Sequence, residues 1–123
     1  MPEKILVIED DPGIRALCGK ILTKVGFKVN TAADFKRGID LLSRENWAVV
    51  IIDIQLTDGS GMDILKKCVK THPGSVPVML SGATSVKEAV TAIKIGAKDF
   101  ITKPFNISKL RDSVTEAVSQ NSS

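Results

Sequence analysis

The chain has 123 residues, 43% hydrophobic and 25% charged, which suits one folded domain and excludes a disordered or fibrous chain. Net charge is +3, the lysines are scattered, and one Trp and four Phe are the only aromatic residues, which argues against direct nucleic-acid contact by this domain. No apolar run approaches the ~20 residues of a membrane span, and "MPEK" does not begin a signal peptide, so no membrane contact and a cytoplasmic location are expected.

Strand and helix signals alternate along the chain. "KILVIE" (4–9) is a continuous apolar run, as in a strand buried on both faces. Asp11 then offers a helix cap and Pro12 a first helical residue. Ile14, Leu17, Cys18, Ile21, Leu22 and Val25 recur at helical spacing, and Gly26 ends the helix. "FKVNTA" (27–32) is a more polar strand, expected near an edge. A second helix is predicted from about Asp34 to Asn46, with Phe35, Ile39 and Leu42 on one face. "WAVVIID" (47–53) is the most apolar run and the expected central strand. The turn-rich stretch "IQLTDGSG" (54–61) reads as a loop.

A third helix is predicted to turn Met62, Leu65, Cys68 and Val69 inward and to stop near His72-Pro73-Gly74. "VPVMLS" (76–81) is the fourth strand. The fourth helix, with Thr84 or Ser85 as cap, is predicted to bury Val86, Ala89, Val90 and Ile93 before Gly96. "DFIT" (99–102) is a short fifth strand. The last helix starts near Ile107 and is predicted to bury Leu110, Val114 and Val118; residues 119–123 read as a frayed tail or truncation point. Cys18 and Cys68 lack CxxC spacing and fall on apolar stripes, so both are expected in the core. Five βα repeats with short connections predict an α/β fold over residues 1–123: a flavodoxin-like, doubly wound five-stranded parallel sheet of order 2-1-3-4-5.

All strands of a parallel sheet end on one edge, where ligands bind. The residues at those ends are Glu9 and Asp10, Asp53, Ser81 with Gly82, and Lys103. Strands one and three are neighbours in the predicted order, so Glu9, Asp10 and Asp53 should converge. Three carboxylates repel one another when alone, but they form an oxygen cage for a divalent cation, for which Mg²⁺ fits best. Lys103 adds a counter-charge, and Ser81 a hydroxyl for an incoming anion. Such a set suits phosphoryl transfer, in which a carboxylate can be the nucleophile.

Four stretches, "ILVIEDDPGIR", "VVIIDIQLTDGSG", "VMLSGA" and "GAKDFITKPF", together resemble a response-regulator receiver domain of two-component signalling. The resemblance spans the whole chain in order. It implies that Asp53 is the phospho-acceptor and that Glu9, Asp10, Asp53 and the backbone carbonyl of Gln55 hold Mg²⁺. It also implies that Ser81, the Gly82 N–H and Lys103 receive the phosphoryl group beside Gln55, that Lys103-Pro104 is cis, and that Phe100 is an aromatic switch. Asp11 is then only a helix cap. The implied donor is a sensor histidine kinase or a phosphotransfer protein, and the downstream effector is unknown. The implied output face is helix four, strand five and helix five, and the resemblance leaves room for a phosphorylation-dependent dimer. Slow loss of its own phosphoryl group would not make the chain an enzyme in the ordinary sense. Thr57 departs from the family pattern, which usually has Pro there.

Taken singly, these residues have plainer explanations: solvated turn acids, a capping Ser81, a surface Lys103, a core Phe100. His72 reads as a solvated helix end. Two rival functions deserve comparison. A haloacid-dehalogenase-like phosphatase also places a nucleophilic Asp after an apolar strand, and "DIQLT" matches it at Asp53 and Thr57. Gln55, however, stands where that family needs its general acid. A docking module that is never phosphorylated is opposed by the intact set of acids, hydroxyl and lysine. A stand-alone receiver and a piece of a longer regulator fit the chain equally well.

Overall fold

The computed structural model describes residues 2–82 and 85–121. The elements, in chain order, are β1 (Lys4–Ile8), α1 (Pro12–Val25), β2 (Lys28–Ala32), α2 (Phe35–Arg44), β3 (Val49–Asp53), β4 (Gln55–Leu56), β5 (Gly59–Ser60), α3 (Gly61–Thr71), β6 (Val76–Ser81), α4 (Val86–Ile95), β7 (Asp99–Thr102) and α5 (Ile107–Asn121). The main sheet is parallel, with order β2-β1-β3-β6-β7, which is the predicted 2-1-3-4-5 arrangement. As expected, polar β2 is an edge strand and the wholly buried β3 is central.

Strand alternation divides the core into two layers. Ile5, Val7, Ile51 and Val78 meet Cys18 and Leu22 of α1 and Leu110 and Val114 of α5. Leu6, Ile8, Val50, Ile52 and Met79 meet Leu42 of α2, Leu65 and Cys68 of α3 and Ala92 of α4. Each fully buried aliphatic side chain contributes about 1.5–3 kcal/mol, so these layers are the main force that holds the sheet edge in place. Both cysteines are free and buried, and burial pushes their thiols up to about 12 (Cys18) and about 11 (Cys68). The caps also follow the sequence. Asp11 accepts from the Ile14 N–H at 3.0 Å, and Gly26, at φ 116°, closes α1 in the left-handed region.

Several expectations need correction. The 54–61 stretch contains a small antiparallel hairpin, with Gln55 opposite Ser60 and Leu56 opposite Gly59. Helix α4 buries a different face from the one predicted. Val86, Val90 and Ile93 are 80%, 46% and 48% exposed, while Ala92 is fully buried. The helix carries two apolar stripes, and the one that holds Ala92 faces the core. Val69 of α3 is exposed rather than inward and lies beside Gly96, where an added Cβ would meet it at 2.9 Å. Leu17 and Val25 lie outside the buried stripe of α1. Val118 is only partly buried, and α5 continues through 119–121, where a tail was expected. Ser85 caps α4 through the Glu88 N–H; Thr84, like 122–123, lies outside the described residues.

Candidate phosphoryl-acceptor site

Adjacent strands β1 and β3 deliver the acids. Glu9 extends β1 by one residue, its N–H donating to the Ala32 carbonyl at 3.0 Å. Its side chain is fully buried. One carboxylate oxygen accepts from the Asp11 N–H at 3.1 Å, and the other from Lys103 Nζ at 2.9 Å. Asp53, at the end of β3, is 1% exposed. Its Oδ1 accepts from the Gln55 N–H at 3.2 Å and its Oδ2 from Lys103 Nζ at 3.2 Å. Asp10 is half-buried, and one oxygen from each of Glu9, Asp10 and Asp53 lies within 4.8 Å of the others.

Strands β6 and β7 complete the edge. Ser81, the last residue of β6, is 1% exposed, and its carbonyl accepts from the Lys103 N–H at 2.7 Å. Gly82 follows in the open, beside the Lys103 side chain. The Lys103-Pro104 bond is cis, as expected. Phe100 is half-buried on β7 opposite Met79 and packs against the α2–α4 layer. His72 caps α3, and its ring Nδ1 lies 2.8 Å from the Thr71 hydroxyl.

The electrostatics are unusual for a buried site. Burial, reinforced by the neighbouring Asp53, raises the Glu9 pKa above its ordinary value. For Lys103, burial is the largest single influence and disfavours the charge, but Glu9 and Asp53 together outweigh it and raise the pKa. Two carboxylates thus share one ammonium group, with a third, Asp10, beside them. A divalent cation suits this set: every side-chain donor in the cluster is a hard oxygen, and the negative charge exceeds what Lys103 neutralises. Glu9, Asp10 and Asp53 would hold it.

Sequence reading overlooked three supporting residues. Arg15, one turn into α1, donates to the carbonyls of Glu9 at 3.0 Å and Asp10 at 3.4 Å, and so fixes the backbone that carries the acids. Gly61 donates to the Ile54 carbonyl at 2.7 Å, and a Cβ there would fall 1.9 Å from the Asp53 carbonyl oxygen, so only glycine fits. Asp58, at the hairpin turn, accepts from the Phe35 and Lys36 N–H groups at 2.7 and 3.2 Å. The signal for Gly61 was the close-set glycines of "DGSG"; the contacts of Arg15 and Asp58 had no local signature.

Comparison with known proteins agrees with this geometry. The family model for the response regulator receiver domain matches residues 5–115. The response regulator protein PilR of Pseudomonas aeruginosa is 34% identical over 116 residues, covering 94% of this chain and 26% of PilR. The probable transcriptional regulatory protein TcrX of Mycobacterium tuberculosis is 30% identical over 109 residues, 89% of this chain and 47% of TcrX. The chain thus spans half or less of the length of these relatives. The crystal structure of a CheY-like response regulator receiver domain protein from Methanospirillum hungatei superimposes with a TM-score of 0.94 at 29% identity, covering 99% of this chain and 98% of that one. With a family match over most of its length, the predicted sheet order and the acids gathered at the C-terminal ends of its inner strands, the chain belongs to the response regulator receiver domains of two-component signalling.

Proposed function

We propose that this domain accepts a phosphoryl group on Asp53 from the phosphohistidine of a sensor histidine kinase or phosphotransfer protein. The observation that carries this reading is the convergence of Lys103 with Glu9 and Asp53 beside Asp10 at one sheet edge. An Asp53 carboxylate oxygen attacks phosphorus, an O–P bond forms, and the P–N bond to the donor imidazole breaks. The imidazole keeps the electron pair and later takes a proton from water. Mg²⁺, held by Glu9, Asp10, Asp53 and the Gln55 carbonyl, would neutralise charge on the transferring oxygens. Ser81 and the Gly82 N–H receive phosphoryl oxygens, and Lys103 pairs with the new anion.

The phosphoryl group carries about −1.5 to −2 where the free carboxylate carried one charge, and its three acceptor oxygens draw Ser81 and Lys103 toward Asp53. Lys103 now bonds both Glu9 and Asp53, so moving it changes the end of β7. Phe100, half-buried on that strand, passes the change to the α4–β7–α5 face, where a downstream effector or a second copy binds. Water later cleaves the acyl phosphate slowly, which resets the domain. Described helices include none long and apolar enough to cross a membrane, and a cytoplasmic location fits the proposed donors.

Incubation with a small phosphodonor and Mg²⁺, followed by intact-mass measurement, tests the reading. The expected result is a gain of one phosphoryl group that is lost in Asp53→Asn. No gain, where a control receiver domain labels, would leave a docking module. Sustained turnover of a phosphomonoester would favour the phosphatase alternative.

A further inference from the structure

The hairpin that follows Asp53 is tied to a distant helix by one carboxylate. Helix α2 begins at Phe35, and its first N–H groups need partners from outside the helix. Its own cap, Asp34, serves only the later ones: the side chain accepts from Arg37 at 2.8 Å and the carbonyl from Gly38 at 3.0 Å. The Phe35 and Lys36 N–H groups go to Asp58, at 2.7 and 3.2 Å. A second contact runs alongside. Gly59 lies so close to the Phe35 ring that a Cβ would meet it at 2.6 Å. The other end of the hairpin is Gln55, whose N–H bonds Asp53 itself. The two turn residues between the strands are Thr57 and Asp58. Among the described residues only glycines have positive φ, so both turn residues have negative φ. Such a turn accepts proline at its first central position, yet this chain has Thr57 there.

We infer that Asp58 is a positioning residue for the acceptor loop: by docking on the start of α2 it holds the β4–β5 hairpin, and with it Gln55, rigidly beside the acid cluster, and so replaces the stiffness that proline would give at position 57. The link also makes the start of α2 part of the acceptor site's mechanical frame, although α2 supplies none of the site's carboxylates, hydroxyl or lysine. The role toward the metal rests on the Mg²⁺ reading above; the tether itself does not.

The test compares the parent with D58A, D58N and the double variant D58A/T57P. Amide hydrogen exchange over residues 55–60 is followed without metal, and Mg²⁺ affinity is measured by titration. D58A is expected to speed exchange across the hairpin and to weaken Mg²⁺ binding about fivefold, the scale of one lost helix cap. D58N keeps one acceptor oxygen and should fall between D58A and the parent. The decisive variant is D58A/T57P, in which proline should restore slow hairpin exchange and Mg²⁺ affinity without restoring the α2 cap. Unchanged hairpin exchange in D58A would overturn the proposal, since Asp58 would then serve α2 alone; faster exchange that T57P fails to correct would overturn the claim that Asp58 replaces the stiffness of proline. A parent that binds no Mg²⁺ would refute the metal reading, while the exchange data would still decide the tether.

Discussion

At the N-terminal edge of the sheet, Lys4 pairs with Glu45 one to one and sits over the Trp47 ring, 5.0 Å from its centroid. Trp47 in turn donates from its indole to the Leu41 carbonyl at 3.1 Å and accepts at its own carbonyl from the Ser75 hydroxyl at 2.6 Å. At the C-terminal edge, Lys103 faces Glu9 and Asp53 together, with Asp10 alongside. Both edges use lysine, carboxylates and strand ends. The first balances its charges near water. The second buries an excess of one sign, which costs stability and suits a site that could hold a divalent cation. The difference singles out the C-terminal edge as the candidate site without any reference to relatives.

Removing each lysine should separate the edges most strongly. Lys103→Met leaves two buried carboxylates without their cation and should cost about 3 kcal/mol in urea unfolding at neutral pH. Its pH dependence has two limbs. Glu9 has a raised pKa, so it takes up a proton as pH falls, and the deficit should shrink in acid. Lys103 has a folded pKa raised above 10.5, so its stabilisation is complete below that value and is lost as pH rises through the folded pKa. Parent and variant stabilities should therefore converge at both extremes. A constant gap across pH would break the comparison.

Gly61→Ala should cost about 2 kcal/mol by overpacking, because the new methyl meets the Asp53 carbonyl oxygen at 1.9 Å. It should also abolish phosphoryl acceptance, since relief requires moving the acceptor's backbone. A normal mass gain in a stably folded Gly61→Ala protein would show that the acceptor tolerates displacement.

Asp10→Asn sharpens the contrast from the opposite direction. Among the described residues Asp10 adds charge to the cluster without an ion pair to Lys103. Its neutralisation should stabilise the metal-free protein by about 1 kcal/mol and remove the rise in melting temperature expected of the parent with Mg²⁺. A loss of stability would mean that the acids are not in net repulsion. At the other edge, Lys4→Met should change stability by at most about 0.5 kcal/mol, as for an exposed pair, and leave Mg²⁺ binding untouched.

Much of this was legible in the sequence for physical reasons. The buried strands β1, β3 and β6 read as apolar runs, and polar residues stand at or just after their ends and after β7, so Glu9, Asp10, Asp53, Ser81 and Lys103 could be gathered once the strand order was fixed. Periodicity failed on α4, where two apolar stripes compete and only packing decides that Ala92, not Val86 or Val90, turns inward. The β4–β5 hairpin escaped because strands of two residues show no alternation. Arg15 and Asp58 escaped for a different reason. Both side chains bond backbone groups, and a sequence does not reveal which carbonyls or N–H groups a charged side chain will meet.

The central claim is that this crowded edge directs phosphorus to one acid among three. Labelling with a small phosphodonor and Mg²⁺, then borohydride reduction and peptide mapping, reads that choice directly, because reduction converts an aspartyl phosphate to homoserine. Homoserine at position 53 alone is the result predicted here. Homoserine at position 10, a reduced side chain at position 9, or no reduced residue in a protein that has gained the phosphoryl mass would contradict it.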